Sequence, residues 1–326
     1  AFDYVEQIEA YGINGKPISK LGIWRSFDQD CDEGLSKMLL EAHMDFDIAN
    51  FSKDLCQYEI LVFPSKTKLS DAETVKVKQF IQSGGSVIAL AESFLNFTEN
   101  NISQDFGIKY LADSSCDSDY TLIKDSLYPI FIKTPFLNYK AAIRVEPTTE
   151  VEVLADIFEP YFNRTSEQYC SHQKTPFKET KADHPAIVKS KNNIFIAHEL
   201  DSMYHKYGAR IHRELFINCL NLLYKSPMIE VDLPSAARIN LLHQENEQRF
   251  VLHILFSTPI RRGIASVIED FVALSNIKVS FNFPKEIHSV TLIPDQQNLA
   301  ISKNQSKQLV TIPKFEMHCV LVFHYL

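Results

Sequence analysis

The stretch EILVFPSKTKLSDAETVKVKQFIQSGGSVIALA, residues 59–91, decides the fold of the region around it. Its opening run, 59–64, is apolar without a break until Pro64, the pattern of a strand buried on both faces. Ser70 then reads as a helix N-cap, and Glu73 three residues on completes a capping box. Val77, Phe80 and Ile81 share one face of the helix that follows, and Gly84 and Gly85 end it, as residues tolerant of left-handed backbone do. Residues 86–91, SVIALA, form the next buried strand.

The same alternation extends upstream. Leu21–Trp24 is a short apolar strand, 32–43 a helix with Leu35, Met38, Leu39 and Ala42 on one face, and 46–49 another strand. Strands alternating with helices predict a parallel sheet with helices on its faces. Downstream the pattern loosens. Candidate strands are 141–145, 152–157 and 193–198, and a strong helix spans 209–224. Between them lies a polar, aromatic loop, 159–180, of a length that is usually functional or interfacial. After Ser226-Pro227 the period switches to two. Phe250, Leu252, Ile254 and Phe256 share a face, as do Ile277, Val279, Phe281 and Phe283, which predicts an antiparallel β-sandwich of about 100 residues. Residues 1–17 read as a short amphipathic helix and a glycine-containing loop, too short to stand alone.

Composition narrows the function. The 326 residues carry a formal net charge of −8 with no Lys/Arg block, which argues against nucleic acid and against an anionic membrane surface as partners. No apolar run approaches the length of a membrane span. The opening residues lack a signal-peptide core, which leans toward a cytoplasmic location, and a start on Ala marks a processed, trimmed or partial chain. The six cysteines are scattered without a CxxC pair and read as reduced, packed thiols. Glycosylation sequons begin at Asn96, Asn101, Asn163 and Asn304.

With only 9 glycines, the chain has no G-x-G-x-x-G, no Walker loop and no G-x-S-x-G elbow, so no cofactor is expected. No cysteine has the flanking glycines of an amidotransferase nucleophile, and the residues after 86–91 are Glu92 and Ser93. Cys170 and His172, with His184 and His198 as further candidates, fall short of a four-ligand zinc site, and no metal is expected. Glu269-Asp270 and Asp30, Asp32 and Glu33 read as solvated or capping charges rather than a glycosidase pair, and His253 as an outward or satisfied strand histidine. The densest chemistry is in the loop: Tyr161, Phe162, Asn163, Arg164, Cys170, Ser171 and His172, with Tyr169 and Phe177 adding rings. Such a set fits a sugar face or a neighbouring surface, or simply anchors the loop.

The segments YEILVFPSKTKLSDAETVKVKQFIQSGGSVIAL, EPYFNRTSEQYCSHQKTPF, HPAIVKSKNNIFIAHELDSMYHKYG, FVLHILFSTPIRRG, VIEDF and the closing VTIPKFEMHCVLVF occur in this order. Together they resemble the C-terminal half of bacterial proteins of the hypothetical glycosyl hydrolase 6 group, which carries a β-galactosidase trimerisation domain related in fold to class I glutamine amidotransferases. The resemblance implies a flavodoxin-like, mainly parallel sheet flanked by helices over 18–226, a small β-sandwich over 227–326, and in 1–17 the tail of an upstream domain. It implies a non-catalytic oligomerisation and support role beside an upstream TIM-barrel catalytic domain, in a homo-oligomer, with carbohydrate as a possible contact of the 159–180 loop. The alternative is a stand-alone α/β protein that binds a small molecule or carbohydrate at the carboxyl ends of its strands.

Overall fold

The computed structural model describes residues 2–93, 105–128, 132–148, 150–304 and 307–326. Sequons at Asn96 and Asn101 lie outside the described residues, as do 305 and 306 of the one that begins at Asn304. The chain divides into two compact units. One comprises 21–38 and 48–225, the other 1–20, 39–47 and 226–326.

The first unit is organised by a nine-stranded sheet. In spatial order its strands are Asp47–Ala49, Leu21–Trp24, Ile60–Phe63, Ser86–Leu90, Asn193–Ile196, Pro185–Ser190, Glu152–Phe158, Asp119–Ile123 and Phe136–Asn138. From Leu21–Trp24 to Asn193–Ile196 the pairings are parallel, and these strands are buried along nearly their whole length. The helix Asp71–Gln82 that joins two of them starts at the Ser70 capping box, with Ser70 and Glu73 bonded in both directions. Beyond Asn193–Ile196 every pairing is antiparallel.

This overturns the expectation of a flavodoxin-like, amidotransferase-like parallel sheet flanked by helices. The sheet is mixed, and the chain as a whole is mostly β. The cause is the connections. A parallel pair needs a crossover of a dozen or more residues, whereas an antiparallel pair can be joined by a two-residue turn. Pro185–Ser190 turns into Asn193–Ile196 through Lys191 and Asn192, with Lys191 at φ 52°, so this pair can only run antiparallel. The expected strand at 141–145 is displaced. Arg144–Pro147 pairs with Ile108–Ala112 in a small sheet of its own. The helices Gln29–Glu41 and Leu200–Tyr207 approach so closely that a Cβ on Gly34 would sit 1.9 Å from the Asp201 carbonyl oxygen.

The second unit holds two antiparallel sheets on one apolar core. Six strands, Lys16–Pro17, Arg238–Gln244, Arg249–Leu255, His318–Tyr325, Ile287–Ile293 and Gln297–Leu299, form one sheet. Ile229–Val231, Leu274–Phe281, Lys307–Phe315 and Ser302–Asn304 form the other. Alternation sends Phe250, Leu252 and Ile254 inward to meet Val279, Phe281, Val310 and Ile312. Phe250 stacks on Phe283 at 4.4 Å and Phe281 meets Phe323 at 4.9 Å. Residues 2–17 belong to this unit: a helix Phe2–Ile8, a 3-10 turn Glu9–Tyr11 and the edge strand Lys16–Pro17.

Candidate functional site

The 159–180 loop folds back on itself. Pro160 and Phe177 form an antiparallel bridge, Tyr161 donates its N–H to Pro176 O at 3.1 Å, and Thr175 Oγ1 donates to Phe162 O at 2.6 Å. Asn163 Nδ2 donates to Ser115 O at 2.7 Å while its Oδ1 accepts from Asp117 N, so the side chain of this sequon is already engaged. Arg164 Nη1 donates to His172 O at 3.2 Å, and Cys170 Sγ to the same oxygen at 3.4 Å. Phe177 packs its ring against Tyr120 and Phe158.

Of the residues singled out in the sequence, the fold brings Phe162, Asn163 and Arg164 together on a pocket of about 190 Å³ that also takes in Asp117 and Lys174. The side chains of Cys170 and Arg164 converge on the carbonyl of His172, whose ring takes no part in the contact. Tyr161, Ser171 and His172 are exposed and line none of this pocket. At the loop base Glu159 accepts from Arg144 Nη2 at 2.7 Å and Lys178 Nζ at 3.0 Å. Burial would raise the Glu159 carboxyl, but Lys178 and Arg144 outweigh it and hold the group below its ordinary value.

A second constellation had no signature in the sequence. Asp119, Asn138 and His198 are all buried. His198 Nε2 lies 2.7 Å from Asp119 Oδ1, Asn138 Nδ2 donates to the same oxygen and to Thr121 Oγ1, and Ala142 N donates to Asp119 Oδ2 at 2.8 Å. Asp119 faces Asn138 in the strand register, whereas His198 follows the strand Asn193–Ile196. The carboxylate thereby holds the turn through Lys140 to Ala142. That turn walls a cavity of about 350 Å³ at the carboxyl ends of Ser86–Leu90 and Asn193–Ile196, with Glu92, Asp113, Asp117 and Glu199 around it. Lys140 is ion-paired to Glu199 there. Ala91, at the end of its strand, is left-handed with φ 45° and donates its N–H to Ile196 O at 2.7 Å. A non-glycine in that conformation stores strain, yet its side chain is a methyl group with no chemistry to offer.

Other buried groups are structural. Asp201 takes Ser65 N, Ser65 Oγ and Ser202 N at 2.7–2.8 Å, and burial wins over these donors to push it up to about 7. Burial likewise pushes the Cys31, Cys116 and Cys219 thiols up, the opposite of what a nucleophilic thiolate requires. Among the described residues no group of three or more His, Cys, Asp or Glu side chains is placed to hold a metal ion.

No family model matches the chain, and no curated protein sequence matches it. Solved structures do. α-L-Fucosidase isoenzyme 2 from Paenibacillus thiaminolyticus is similar over 100% of this chain and 51% of its own, with a TM-score of 0.92 and 26% identity. β-Galactosidase from Bacillus circulans sp. alkalophilus matches 98% of this chain and 44% of its own at TM-score 0.63 and 11% identity. β-Galactosidase from Rahnella sp. R3 matches 96% and 42% at TM-score 0.59 and 13% identity. These structural neighbours are glycoside hydrolases, and the chain spans about half the length of the fucosidase or less of the galactosidases. At 11% and 13% identity the galactosidases speak to the fold alone.

Proposed function

We propose that this chain is the accessory and assembly region of a glycoside hydrolase, supporting a catalytic domain encoded outside these 326 residues and cleaving no glycosidic bond itself. The observation that carries the reading is the match to the fucosidase, which takes in the whole of this chain and half of that one. Identity at least twice that of the galactosidases makes an α-L-fucoside the substrate class to test first. The chain's own chemistry agrees: its buried thiols are raised, its strained turn carries a methyl group, and its Asp119–His198 pair is spent on holding a turn. The region contributes to oligomerisation, and the 159–180 loop faces the catalytic domain or a second copy.

The test is turnover of aryl α-L-fucoside and aryl β-galactoside by the enzyme expressed from the complete reading frame and by the present chain alone, with sedimentation velocity on both. Fucoside turnover confined to the longer protein, which sediments as an oligomer, supports the reading. Turnover by the present chain above a mock-purified control, lost on a single substitution in it, defeats it.

A further inference from the structure

Strand alternation leaves Val251, Val320 and Val322 on the face of the six-stranded sheet turned away from its core. With Leu242 and Ile293 they form a separate apolar patch, and Ile8 and Tyr11 pack against it. Residues 2–17 are thus a strap laid across the sheet. Polar fasteners hold it: Gln244 Nε2 donates to Ala10 O and Ile13 O at 3.0 and 2.6 Å, and Arg249 Nη2 donates to Ala10 O with its guanidinium 4.7 Å from the Tyr11 ring centre.

Between strap and sheet runs a chain of four polar groups. Tyr4 Oη lies 2.8 Å from His318 Nδ1, His318 Nε2 lies 3.2 Å from His253 Nδ1, and His253 Nε2 lies 3.2 Å from Tyr11 O. The Tyr11 carbonyl only accepts, so His253 Nε2 carries a hydrogen. One hydrogen between the two rings satisfies that link. With both rings neutral, every link is made. One extra proton can be absorbed by exchanging tautomers, because Tyr4 can turn its hydroxyl hydrogen to His318 O at 3.1 Å and accept from His318 Nδ1. Two extra protons set N–H against N–H between the rings, and the chain breaks.

We propose that the strap is an acid-released latch: docked, the His253–His318 pair holds at most one proton beyond neutrality, whereas undocked it takes two, so acidification lifts residues 2–17 and uncovers the apolar patch. Around the pair stand Tyr4, the buried Cys319 thiol, Asp295, and the Lys314–Glu316 pair, which line a cavity of about 170 Å³ with His318. Arg249 adds a cation at Ala10, and the strap's own acids, Asp3, Glu6 and Glu9, are exposed. No carboxylate stands within hydrogen-bonding reach of either ring among the described residues. Burial, reinforced by His253, holds His318 down at about 4, and burial lowers His253 against the pull of the Tyr11 carbonyl. Both values are lower docked than free, so docking is at full strength above the ordinary imidazole value and weakens as pH falls toward about 4.

Amide hydrogen exchange on the full chain between pH 7.5 and 4.5, corrected for the intrinsic chemical rate, reads the latch directly. In 2–17 the opening constant should rise about tenfold per pH unit below roughly 6.5, while peptides from 250–254 and 319–323 keep their protection. The double variant His253→Gln, His318→Gln should show a flat corrected profile. Should its strap be open already at pH 7.5, Tyr4→Phe, which leaves both rings in place, should move release to higher pH. A wild-type strap whose protection ignores pH, an unaltered slope in the double variant, or an unmoved release in Tyr4→Phe overturns the proposal.

Discussion

The two units solve the problem of a large sheet in opposite ways. The unit of two antiparallel sheets buries rings and aliphatic chains, and among its described residues the buried polar side chains are His43 and Gln244. The mixed-sheet unit buries Ser65, Asp119, Asn138, His198, Asp201 and His212 beside its apolar core. Where parallel strands stop and hairpins take over, chain segments converge that no continuous ladder satisfies, and side chains must supply the missing partners. Asp119, Asn138 and His198 tie the strands Asp119–Ile123 and Phe136–Asn138 to the segment after Asn193–Ile196, the seam at which the pairing changes direction, and the larger of the cavities described with the candidate site opens beside it.

The contrast is sharpest at Asp119. Asp119→Ala leaves His198 and the Ala142 N–H buried with no acceptor, and should cost about 3–5 kcal/mol. Urea unfolding followed by Trp24, the single tryptophan and a buried residue of this unit, checks it. A loss below about 1 kcal/mol would mean the seam is held by packing alone. In the other unit Leu252→Ala should cost about 2–4 kcal/mol, read by far-ultraviolet circular dichroism, through the cavity it leaves. His212 has no partner for either ring nitrogen among the described residues, and burial, then His198, hold it at about 4. Its stability contribution is therefore intact above about 6.5 and lost as pH falls toward 4. His212→Leu should be neutral or stabilising by about 1 kcal/mol at pH 7 and should shallow the acid side of the stability profile. An unchanged acid slope would show that His212 is not the group responsible.

The smallest effect is expected at the loop. Tyr161 and Arg164 are exposed, so Arg164→Ala with Tyr161→Ala should change stability by no more than about 0.5 kcal/mol. In the complete enzyme the same pair should weaken oligomerisation or raise KM with kcat preserved. Unchanged sedimentation and kinetics would leave the loop as self-packed surface and end its interface role.

Legibility followed the range of the interactions. The Ser70–Glu73 capping box and the Gly84-Gly85 stop act within one helix, and both were readable from residue spacing. Alternation from Phe250 to Ile254 survives in the sequence because one face meets a core everywhere along the strand. The antiparallel half of the mixed sheet left a weaker trace. Asp119–Ile123 carries Asp, Tyr and Thr among two aliphatic residues, because its polar side chains serve distant partners. Asp119, Asn138 and His198 are far apart in the chain, and no spacing rule unites them. The two-residue turn at Lys191 and Asn192 was the available clue that parallel order had ended, and neither residue is a glycine to flag it.

The pairing of Lys16–Pro17 with His243 and Leu242 has a consequence for how the protein is made. The strap leaves the ribosome roughly 225 residues before its partner strand, a wait on the order of 10–45 s at ordinary elongation rates. The first unit has by then been synthesised in full. The second cannot close until His318–Tyr325 is free to insert between its neighbours in the sheet. During biosynthesis the strap travels unpaired, and translation order makes the aromatic-cored unit native after the mixed-sheet one.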